Sequence, residues 1–599
     1  MKIYNILSIL ALILCATGCK NESNKRIEDT RNLNPFEYTQ LSYTAKDSLG
    51  REFSVSDLHK ENKEVGIFYH VWHGYKHAEN KGIFDVTKLL QDNPNALYNL
   101  SATEEDSPLG AFHYWGEPLY GYYRSDDPWV ITRHMELLTA AGVDYLCYDL
   151  TNATIYYDAI NEIFKVLDKF QKQGFKVPKV CFYTNSDSGV TMKACYETWY
   201  ERGLYSNLWY SRDGEKPLII GRKYDLQSKF PRVYEEMIEK MDIRESQWPD
   251  ERFDVKEGFP WMDWDYPQRI FRDGTISVSV GQHPGCNCAK PEGTKGRGFD
   301  YASYENNTEK VAEGTNFESQ YSRVFENEDK INNVFLTGFN EWIAIKQDNG
   351  SGELLMVDTF NEEFSRDIEM FRGYKDQKGY GDNFVMQMMR LNKRFKTTEG
   401  RHYIYNEKTI DINDFSSEQW ENIKSVYMDF AGDAIARNFK NYDRSKDYVD
   451  VSNRNDIVKT TVTHDSNNLY FRVECLENIT VKEETDKTWM NILINANLKN
   501  ATDWNGYNFI INRDVINGKG SIEALDENFN TTVVGEADIK VEGKIMQVAI
   551  PLSLIGKSET DAYVSFKVCD HVSDQEDIME YYVSGDSAPI GRINYAYGY

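Results

Sequence analysis

The sequence is poor in basic residues and lacks the motifs that mark most nucleotide-binding and metal-binding proteins. It has 95 acidic and 68 basic residues, which gives a formal net charge of −27. This balance argues against nucleic acid or an anionic membrane surface as a partner. No GxGxxG or GxxxxGK[ST] sequence follows a predicted strand, and no HExxH, HxH or paired CxxC sequence occurs. We therefore expect neither a metal nor a cofactor at the functional site.

Long apolar runs are also missing, except near the N-terminus. Residues 6–16 are apolar and follow a basic start at Lys2, but a membrane-spanning helix needs about 20 such residues. The next residues, ATGC (16–19), resemble a bacterial lipobox with Cys19 as the lipidated residue. Ordinary secretion with cleavage nearby is the alternative. We interpret residues 1–19 as a lipoprotein signal and residues 20–34 as a polar tether.

These features predict an exported lipoprotein of a Gram-negative bacterium, periplasmic or on the cell surface, which contacts a membrane only through its lipid anchor. Nine cysteines occur in the chain. Cys147 and Cys181 lie in apolar strand candidates and are predicted to be core residues. Cys286 and Cys288 are predicted to be free thiols rather than a strained disulfide, because their spacing is poor for a bridge.

Aromatic residues are abundant, at 14% of the chain with 40 tyrosines and 12 tryptophans. Such an excess is common in carbohydrate-binding proteins, and a large aromatic core explains it equally well. The length of 599 residues predicts two or more domains.

Apolar strand candidates alternate with helical segments between about residue 64 and residue 400. The strand candidates are residues 65–72, 143–150, 179–185, 217–222, 275–280 and 334–339. Helices are predicted for residues 127–141, with Pro128 in the first turn, and for residues 157–173, which end before Gly174. We predict a (β/α)₈ TIM barrel over residues 35–400, with an open doubly wound sheet as the alternative.

After residue 400 the pattern changes to short alternating strands separated by turn residues. The candidates are residues 458–462, 469–473, 489–494, 507–511, 545–550 and 562–568. Strands of this length and spacing predict a C-terminal antiparallel β-sandwich over residues 405–599. A structural calcium ion in this domain stays open, although no EF-hand-type loop indicates one.

The strand candidate at 334–339 ends in Asn340, Glu341 and Trp342. Catalytic groups of a (β/α)₈ barrel lie at the carboxyl ends of the strands. A carboxylate, an amide and an indole together suit a sugar site, because the indole stacks on the ring and the carboxylate does acid–base or nucleophilic work. Glu341 is therefore the predicted catalytic carboxylate, with a ligand-orienting carboxylate as the alternative.

The second catalytic carboxyl is predicted to be Asp149 or Glu117. Asp149 ends a strand candidate, and its alternative role is to bond neighbouring loop amides. Glu117 lies between aromatic residues, which would raise its pKa as a general acid requires, and its alternative is a loop salt bridge. The predicted substrate-binding residues share positions at strand ends or in aromatic clusters. They are His70, Trp72, His73, His113, Trp115, Asn152, Trp261, Asp263, Asp265, His283, Asn340 and Trp342.

The motifs GIFYHVWHG (66–74), WYSRDGEKPLIIG (209–221), ISVSVGQHPG (276–285) and LTGFNEW (336–342) resemble the glycoside hydrolase family 99-like group, which is related to endo-α-mannosidases. VDTFNEEFSRDIEMF (357–371) is similar to members of the same group. The resemblance covers residues 64–400 and implies a catalytic role for Glu341. It also departs from the family, because endo-α-mannosidases have a second essential glutamate three residues later, where this chain has Ala344.

TWMNILINANLKNATDWNGYNFIINR (488–513) resembles carbohydrate-binding modules of the family 9 type. Together the resemblances imply a lipid-anchored glycoside hydrolase that acts on a poly- or oligosaccharide. The alternative is a non-catalytic glycan-binding lipoprotein on a degenerate hydrolase barrel. A lyase or transferase on the same barrel is a third hypothesis, and the lack of a phosphate-binding motif weakens the transferase version.

Overall fold

The structure is a computed structural model. It describes residues 27–75, 82–100, 107–284, 293–356, 361–374, 379–401, 403–404, 407–499 and 502–598. The predicted signal with Cys19, and the pair Cys286 and Cys288, lie outside the described residues. No helix among the described residues is long and apolar enough to cross a bilayer.

The N-terminal domain is built on a parallel sheet of eight strands among the described residues. They are β1 Glu64–Tyr69, β2 Tyr145–Leu150, β3 Lys179–Thr184, β4 Leu218–Gly221, β5 Asp242–Gln247, β6 Gly258–Pro260, β7 Thr275–Ser279 and β8 Asn333–Thr337. Strands β1 to β6 pair in chain order, β7 pairs with β8, and β8 returns to pair with β1. Within the described residues, β6 and β7 form the two edges of the sheet. At the seam between β6 and β7, the Ser277 hydroxyl donates to the Trp261 carbonyl across 3.4 Å. The predicted (β/α)₈ barrel is confirmed, and the open sheet is excluded.

Helices surround this sheet. They are α1 Pro35–Ser42, α2 Val86–Asp92, α3 Pro128–Ala140, α4 Tyr157–Gln173, α5 Ser188–Cys195, α6 Lys223–Lys229, α7 Pro231–Lys240, α8 Thr315–Glu326 and α9 Asn383–Lys396. Asp127 caps α3 by accepting from the Trp129 amide, and Gly174 ends α4 at φ 117°. The predicted helices at 127–141 and 157–173 are therefore present, because their start and stop signals are local.

Short strands decorate the barrel. They pair as Ile27–Glu28 with Tyr403–Ile404, Ala45–Lys46 with Glu52–Phe53, Ser56–His59 with Thr397–Glu399, Glu117–Pro118 with Phe371–Arg372, and Phe299–Asp300 with Glu305–Asn306. A further small sheet contains Phe84–Asp85, Phe112–Tyr114, Ile343–Asp348 and Leu354–Met356. Arg31, in the segment predicted to be a tether, pairs with Asp29 at 2.9 Å and bonds the Asp57 carbonyl at 3.0 Å. Residues 27–34 thus pack on the barrel.

The C-terminal domain is an antiparallel sheet curled on itself. Its strands are β9 Val426–Met428, β10 Arg437–Lys440, β11 Asp447–Asp450, β12 Ile457–His464, β13 Asn468–Cys475, β14 Asn491–Asn495, β15 Phe509–Ile516, β16 Lys519–Leu525, β17 Thr531–Glu542, β18 Ile545–Pro551, β19 Val564–Asp570, β20 Asp586–Ala588 and β21 Tyr595–Tyr597. The long β17 pairs with β16 over most of its length and with β18 at its end, so it joins the two layers. β10 and β11 form a separate hairpin. The predicted sandwich is confirmed.

The two domains share a polar interface. Arg437 of β10 pairs with Asp127 of the barrel at 2.8 Å, and Arg592 pairs with Asp382 at 2.7 Å. Arg133 of α3 donates to the Gly585 carbonyl across 2.9 Å. Helix α3 is consequently buried on almost every face, because it lies between the barrel sheet and the sandwich.

Candidate active site

The loop after β8 carries the central residues of the site. The chain turns at Gly338, whose φ of +94° is costly for any residue with a side chain, and a Cβ there would lie 2.6 Å from the Arg366 carbonyl oxygen. The segment that follows is fixed by the Glu369 amide, which donates to the Phe339 carbonyl across 2.8 Å. This turn places Asn340 and Glu341 at the carboxyl end of the barrel.

One histidine joins two carboxylates across the mouth of the barrel. The Nε2 atom of His70, which follows β1, lies 3.0 Å from Oε1 of Glu341 and 3.1 Å from Oδ2 of Asp149, the penultimate residue of β2. His70 is buried, whereas the side chains of Glu341 and Asp149 keep 12% and 8% of their surface exposed. The structure therefore brings together the first two predicted catalytic residues, with the acids at the solvent edge of the group.

Asn340 fixes the backbone of His70 by hydrogen bonds. Its Oδ1 accepts from the His70 amide at 2.8 Å, and its Nδ2 donates to the His70 carbonyl at 3.1 Å and to the Tyr123 hydroxyl at 3.2 Å. The amide is buried and fully engaged with protein groups. Asn340 thus serves to align the ends of β1 and β8 rather than to bind a ligand directly.

A second segment, just before α9, completes the surroundings of Glu341. The Arg366 guanidinium forms an ion pair with Oε2 of Glu341. Asp367 accepts from the Glu341 amide across 2.5 Å and from the Trp115 indole across 2.9 Å. Sequence reasoning assigned no role to Arg366 or Asp367, although the 357–371 motif that contains them was singled out by its resemblance. Their proximity to Glu341 depends on the tertiary fold.

The electrostatic environment separates the acids at this site. Burial alone would raise the pKa of Asp149, but His70 and the Thr151 amide outweigh burial and hold its pKa below the ordinary value of 3.8. Burial raises the pKa of Asp367, although Arg366 acts in the opposite direction. Asp149 is therefore ionised at every physiological pH.

Two of the predicted substrate-binding tryptophans lie inside the protein. Trp115 and Trp342 are fully buried, and their rings stack on each other with centroids 4.2 Å apart. The Trp342 indole donates to Glu369, which also accepts from the Tyr123 hydroxyl at 2.8 Å and faces His134 Nε2 at 2.7 Å. Both tryptophans anchor their loops by burying their rings, and neither ring is exposed to a sugar in this structure.

The other predicted aromatic and histidine residues line two sides of the mouth. The Arg366 guanidinium lies 5.1 Å from the centroid of the Trp261 ring, and the His283 ring lies 6.0 Å from the same centroid. On the opposite side, Trp72 and His73 stack at 6.1 Å. Burial lowers the pKa of His73 and His283 well below the ordinary value, so both rings are neutral. Trp261 and Trp72 are buried, with 6% and 9% of their surface exposed.

The remaining predicted residues lie in different surroundings. His113 is buried against the Ser107 hydroxyl at 2.9 Å, away from the carboxylates. Asp263 and Asp265 both pair with Arg269 at 2.7 Å. Glu117 forms a half-exposed ion pair with Lys88 at 2.6 Å, which is the loop salt bridge that was its alternative. Their partners are thus Ser107, Arg269 and Lys88 rather than Glu341 or Asp149.

A solvent-open cleft lies beside the loop after β1. It encloses about 470 Å³ of empty space and is lined by His73, Tyr75, Arg124 and Tyr156, among others. Asn152, the last predicted substrate-binding residue, is exposed and donates to the Tyr156 hydroxyl across 2.7 Å. The cleft is lined by aromatic and charged groups, and Glu341, His70 and Asp149 are not among its lining residues.

Groups of acids that could hold a metal ion lie in another part of the protein. Among the described residues, the groups of three acids that could hold an ion lie at the interface of the barrel with the sandwich, not at the mouth. In the described part of the sandwich, the tryptophans Trp420, Trp489 and Trp504 are all buried. None of them is a ready stacking platform for a sugar.

No protein-family model matches the sequence, and no curated protein matches it. Among solved structures, the chain is similar to the GH99 endo-alpha-mannosidase from Bacteroides thetaiotaomicron, alone and in complex with BIS-TRIS-Propane. The identities are 13% and 14%, the TM-scores are 0.33 and 0.32, and the match covers 55% of this chain and 97% of that one. A family 9 carbohydrate-binding module from Caldicellulosiruptor kristjanssonii in complex with cellotriose matches at 15% identity and a TM-score of 0.13, covering 23% of this chain and 63% of the module. These likenesses are too low to transfer a residue role or an activity.

Proposed function

We propose that this protein is an exported, lipid-anchored glycoside hydrolase that cleaves a glycosidic bond in a poly- or oligosaccharide. The observation that carries the proposal is the pairing of Glu341 and Asp149 on one imidazole at the carboxyl end of the barrel. Two carboxyl groups flanking the bond are the usual requirement for this chemistry. The resemblance of residues 64–400 to glycoside hydrolase family 99 and the lipobox-like ATGC sequence support the substrate class and the location.

The surroundings of the two acids assign them different roles. Asp149 stays ionised, so it acts as the base or nucleophile and stabilises an oxocarbenium-like transition state. Glu341 exchanges a proton with the leaving oxygen, in contact with His70 on one side and Arg366 on the other. Arg366 favours the charged form of Glu341, so this role requires the sugar to weaken that ion pair when it enters.

The spacing of the acids predicts the stereochemical outcome. Because both carboxylates contact the same nitrogen, at 3.0 and 3.1 Å, their nearest oxygens lie at most about 6 Å apart. Retaining enzymes have carboxyl groups roughly 5–5.5 Å apart, whereas inverting enzymes need roughly 6.5–9.5 Å to accommodate a water molecule. We therefore expect retention of the anomeric configuration, which proton NMR of the first product will show.

The test compares Glu341→Gln with the wild type on a panel of oligosaccharides and on dinitrophenyl glycosides. On oligosaccharides, the release of reducing ends is expected to fall about 10³-fold or more, because the leaving oxygen needs a proton. On dinitrophenyl glycosides the loss is expected to be only about 10-fold, because that leaving group departs without protonation. Glu236→Gln, on the outer helix α7, removes an exposed acid paired with Lys240 and is the matched control.

Hydrolysis of oligosaccharides that is unaffected by Glu341→Gln would refute the proposal. Ala344 favours one rival function, a glycan-binding lipoprotein without catalysis. It lies three residues after Glu341, is buried in the strand Ile343–Asp348 and pairs with His113, so no second acid can act from that position. Binding of a glycan without turnover by the wild type would support the rival.

A further inference from the structure

A second group of acids lies at the interface of the barrel with the sandwich. One member is on helix α3 of the barrel, and the others are at strand ends and turns of the sandwich. We call this group the interface carboxylate cluster, and its members are Glu136, Asp429, Asp433, Asp456 and Asp586.

The cluster is deeply buried and short of hydrogen-bond donors. Glu136, Asp429, Asp433 and Asp586 each expose 4% or less of their surface. Several of their oxygens have no hydrogen-bond partner, namely both carboxylate oxygens of Glu136, Oδ2 of Asp429, Oδ2 of Asp433 and Oδ1 of Asp586. Buried carboxylate oxygens are almost always satisfied in proteins, so this number of orphans in one place indicates a ligand.

Backbone donors hold the acids with their other oxygens turned inwards. The Ala434 amide donates to Oδ1 of Asp433 at 2.9 Å, and the Ile457 amide donates to Oδ2 of Asp586 at 2.6 Å. The orphan oxygens of these two residues are the remaining ones, Oδ2 and Oδ1. Fixing one oxygen of a carboxylate while leaving the other free is how proteins orient ligands to a cation.

The cluster consists of two overlapping groups of three acids, and the distances within each group match one coordination sphere. Glu136, Asp429 and Asp433 offer oxygens that all lie within 4.8 Å of one another, and so do Asp433, Asp456 and Asp586. Asp433 belongs to both groups and so forms the centre of the cluster. Ligands bound to one calcium ion at 2.3–2.6 Å can be at most about 5 Å apart, so each group fits around such an ion.

The cationic side chains nearby do not neutralise the cluster. Arg133 Nη1 lies 3.5 Å from Glu136 and 3.9 Å from Asp433, and its Nη2 donates instead to a backbone carbonyl. Lys567 of β19 donates to the Pro589 carbonyl, and burial lowers its pKa to about 7. Lys169 of α4 bonds the Gly432 carbonyl at the exposed edge. At most two buried positive charges therefore face five carboxylates.

We propose that the interface carboxylate cluster binds one calcium ion and that this ion joins the barrel to the sandwich. The donor set consists only of oxygens, which suits calcium and excludes the nitrogen and sulfur ligands that zinc prefers. Magnesium usually retains several water molecules, which a closed group of protein carboxylates does not accommodate. Glu136 makes the site a joint property of both domains rather than of the sandwich alone.

The alternative occupant is the proton. Burial and mutual repulsion raise the pKa of Glu136, Asp429 and Asp586 well above the ordinary range, and burial and Asp433 raise that of Asp456 to about 7. Without a cation, the cluster would hold shared protons at neutral pH. A cation displaces those protons, so calcium binding near pH 7 must release them.

The experiment uses the full chain, freed of metal by EDTA and dialysed. Calorimetric titration with calcium chloride is expected to show one site per chain, with proton release that differs between buffers of different ionisation enthalpy. Thermal unfolding is expected to show a Tm about 5 °C or more higher with 1 mM calcium than with EDTA. Elemental analysis of protein purified without chelators is expected to show one calcium per chain.

Variants separate the interface site from other sites. Asp433→Asn is expected to abolish calcium binding, and Glu136→Gln, which changes only the barrel, is expected to weaken it at least about 10-fold. Asp447→Asn, an exposed acid paired with Lys440, controls for the loss of one negative charge and is expected to bind calcium normally. If Asp433→Asn does not fold, the calcium affinity of Glu136→Gln shows whether the ion binds at the interface.

Two results would overturn the proposal. One is a wild-type protein with no calcium and no change in Tm between EDTA and calcium, which would mean that protons fill the cluster. The other is calcium binding of the same affinity in wild type and Glu136→Gln, which would place the ion elsewhere.

Discussion

The chain contains two groups of buried or half-buried acids whose surroundings are opposite. At the barrel mouth, Glu341 and Asp149 share His70, and Glu341 is also paired with Arg366. In the interface carboxylate cluster, many of the oxygens lack any donor. The first group is balanced by side chains of the protein itself, and the second is not.

The pKa values of acids in the two groups shift in opposite directions. Asp149 is buried, yet its pKa falls below the ordinary value because His70 and a backbone amide stabilise the charge. Asp429 and Asp586 are equally buried, and their pKa values rise because burial disfavours the charged form and the neighbouring acids add to that effect. Burial alone therefore does not determine whether an acid is charged, because neighbouring charges and hydrogen-bond donors also shift its pKa. The first arrangement suits chemistry on a neutral sugar, and the second suits a cation.

The largest expected effect comes from removing the charge of Asp149. Asp149→Asn keeps the side-chain shape and an oxygen for His70, but removes the negative charge that would face the developing positive charge of the sugar. We expect kcat on oligosaccharides to fall about 10²–10⁴-fold, with an unchanged Tm. Dinitrophenyl glycosides are expected to show the same loss, in contrast to Glu341→Gln.

Asp187→Asn is the control for this variant. Asp187 lies on the same face of the barrel after β3, is exposed and is paired with Lys229 at 3.0 Å. Its activity should stay within about 2-fold of the wild type, as expected for a surface pair. Full activity in Asp149→Asn would show that the pairing on His70 is structural and would remove Asp149 from the mechanism.

A smaller effect is expected from Glu369, whose carboxylate holds Trp342, the residue after Glu341. Glu369→Gln weakens the contacts with His134, Tyr123 and the Trp342 indole, all of which are buried. We expect the barrel to lose about 2–3 kcal/mol of stability, measured by urea unfolding, because the contacts involve a charged acceptor. Since Trp342 follows Glu341 directly, kcat should fall as well, with little change in KM.

Glu363→Gln makes the same chemical change in the same segment. Its carboxylate accepts a hydrogen bond from the Thr308 hydroxyl across 3.2 Å and is half-buried rather than fully buried. This variant should keep both its urea midpoint and its kcat. Equal losses in the two variants would mean that the segment, rather than the Glu369 contacts, determines the stability.

The fold was largely predictable because its signals are local in the sequence. The helix at Tyr157–Gln173 has its apolar residues at helical spacing and a glycine directly after it, and the structure has the same bounds. The strands of the barrel are short apolar runs, and β1 to β6 pair in chain order. The strands β5 and β6 were not predicted, because Asp242–Gln247 is mostly polar and Gly258–Pro260 is too short to give a pattern.

The site was predictable only where its residues follow strands. His70, Asp149 and Glu341 each lie at or just after the end of a strand, and the structure brings them together. Arg366 and Glu369 reach the site from a segment without regular structure, so no periodicity indicated them. Trp115 and Trp342 were expected to be exposed, and a single sequence gave no sign that their rings pack on each other.

A third prediction concerns pH and stability in the interface carboxylate cluster. Its acids have raised pKa values when folded, so the cation-free folded chain holds protons that the unfolded chain releases above about pH 4. The resulting stability is present at low pH and is lost as the pH rises through the folded pKa, which is about 7 for Asp456. In EDTA, the Tm should therefore fall between pH 5.5 and pH 8.5.

Calcium should remove this pH dependence, because the bound ion replaces the protons. Arg133, Lys567 and Lys169 face the cluster from α3, β19 and α4, and Lys567, whose pKa burial lowers to about 7, titrates in the same range. Lys567→Met would separate its contribution. The same slope of Tm against pH with EDTA and with calcium would contradict a cation in the cluster.

The smallest expected effect concerns Glu117, the acid that sequence reasoning placed in the mechanism and the structure places in a short strand. Its partner is Lys88 at 2.6 Å, and both side chains are about one third exposed. Exposed pairs of this kind contribute about 0–1 kcal/mol, so Glu117→Gln should lower the stability by no more than that and leave kcat unchanged. Raising the salt concentration to 1 M should reduce even this difference, because the pair is open to solvent. A loss of kcat comparable to that of Asp149→Asn would return Glu117 to the mechanism and would require the short strand Glu117–Pro118 to move toward Glu341 when a sugar binds.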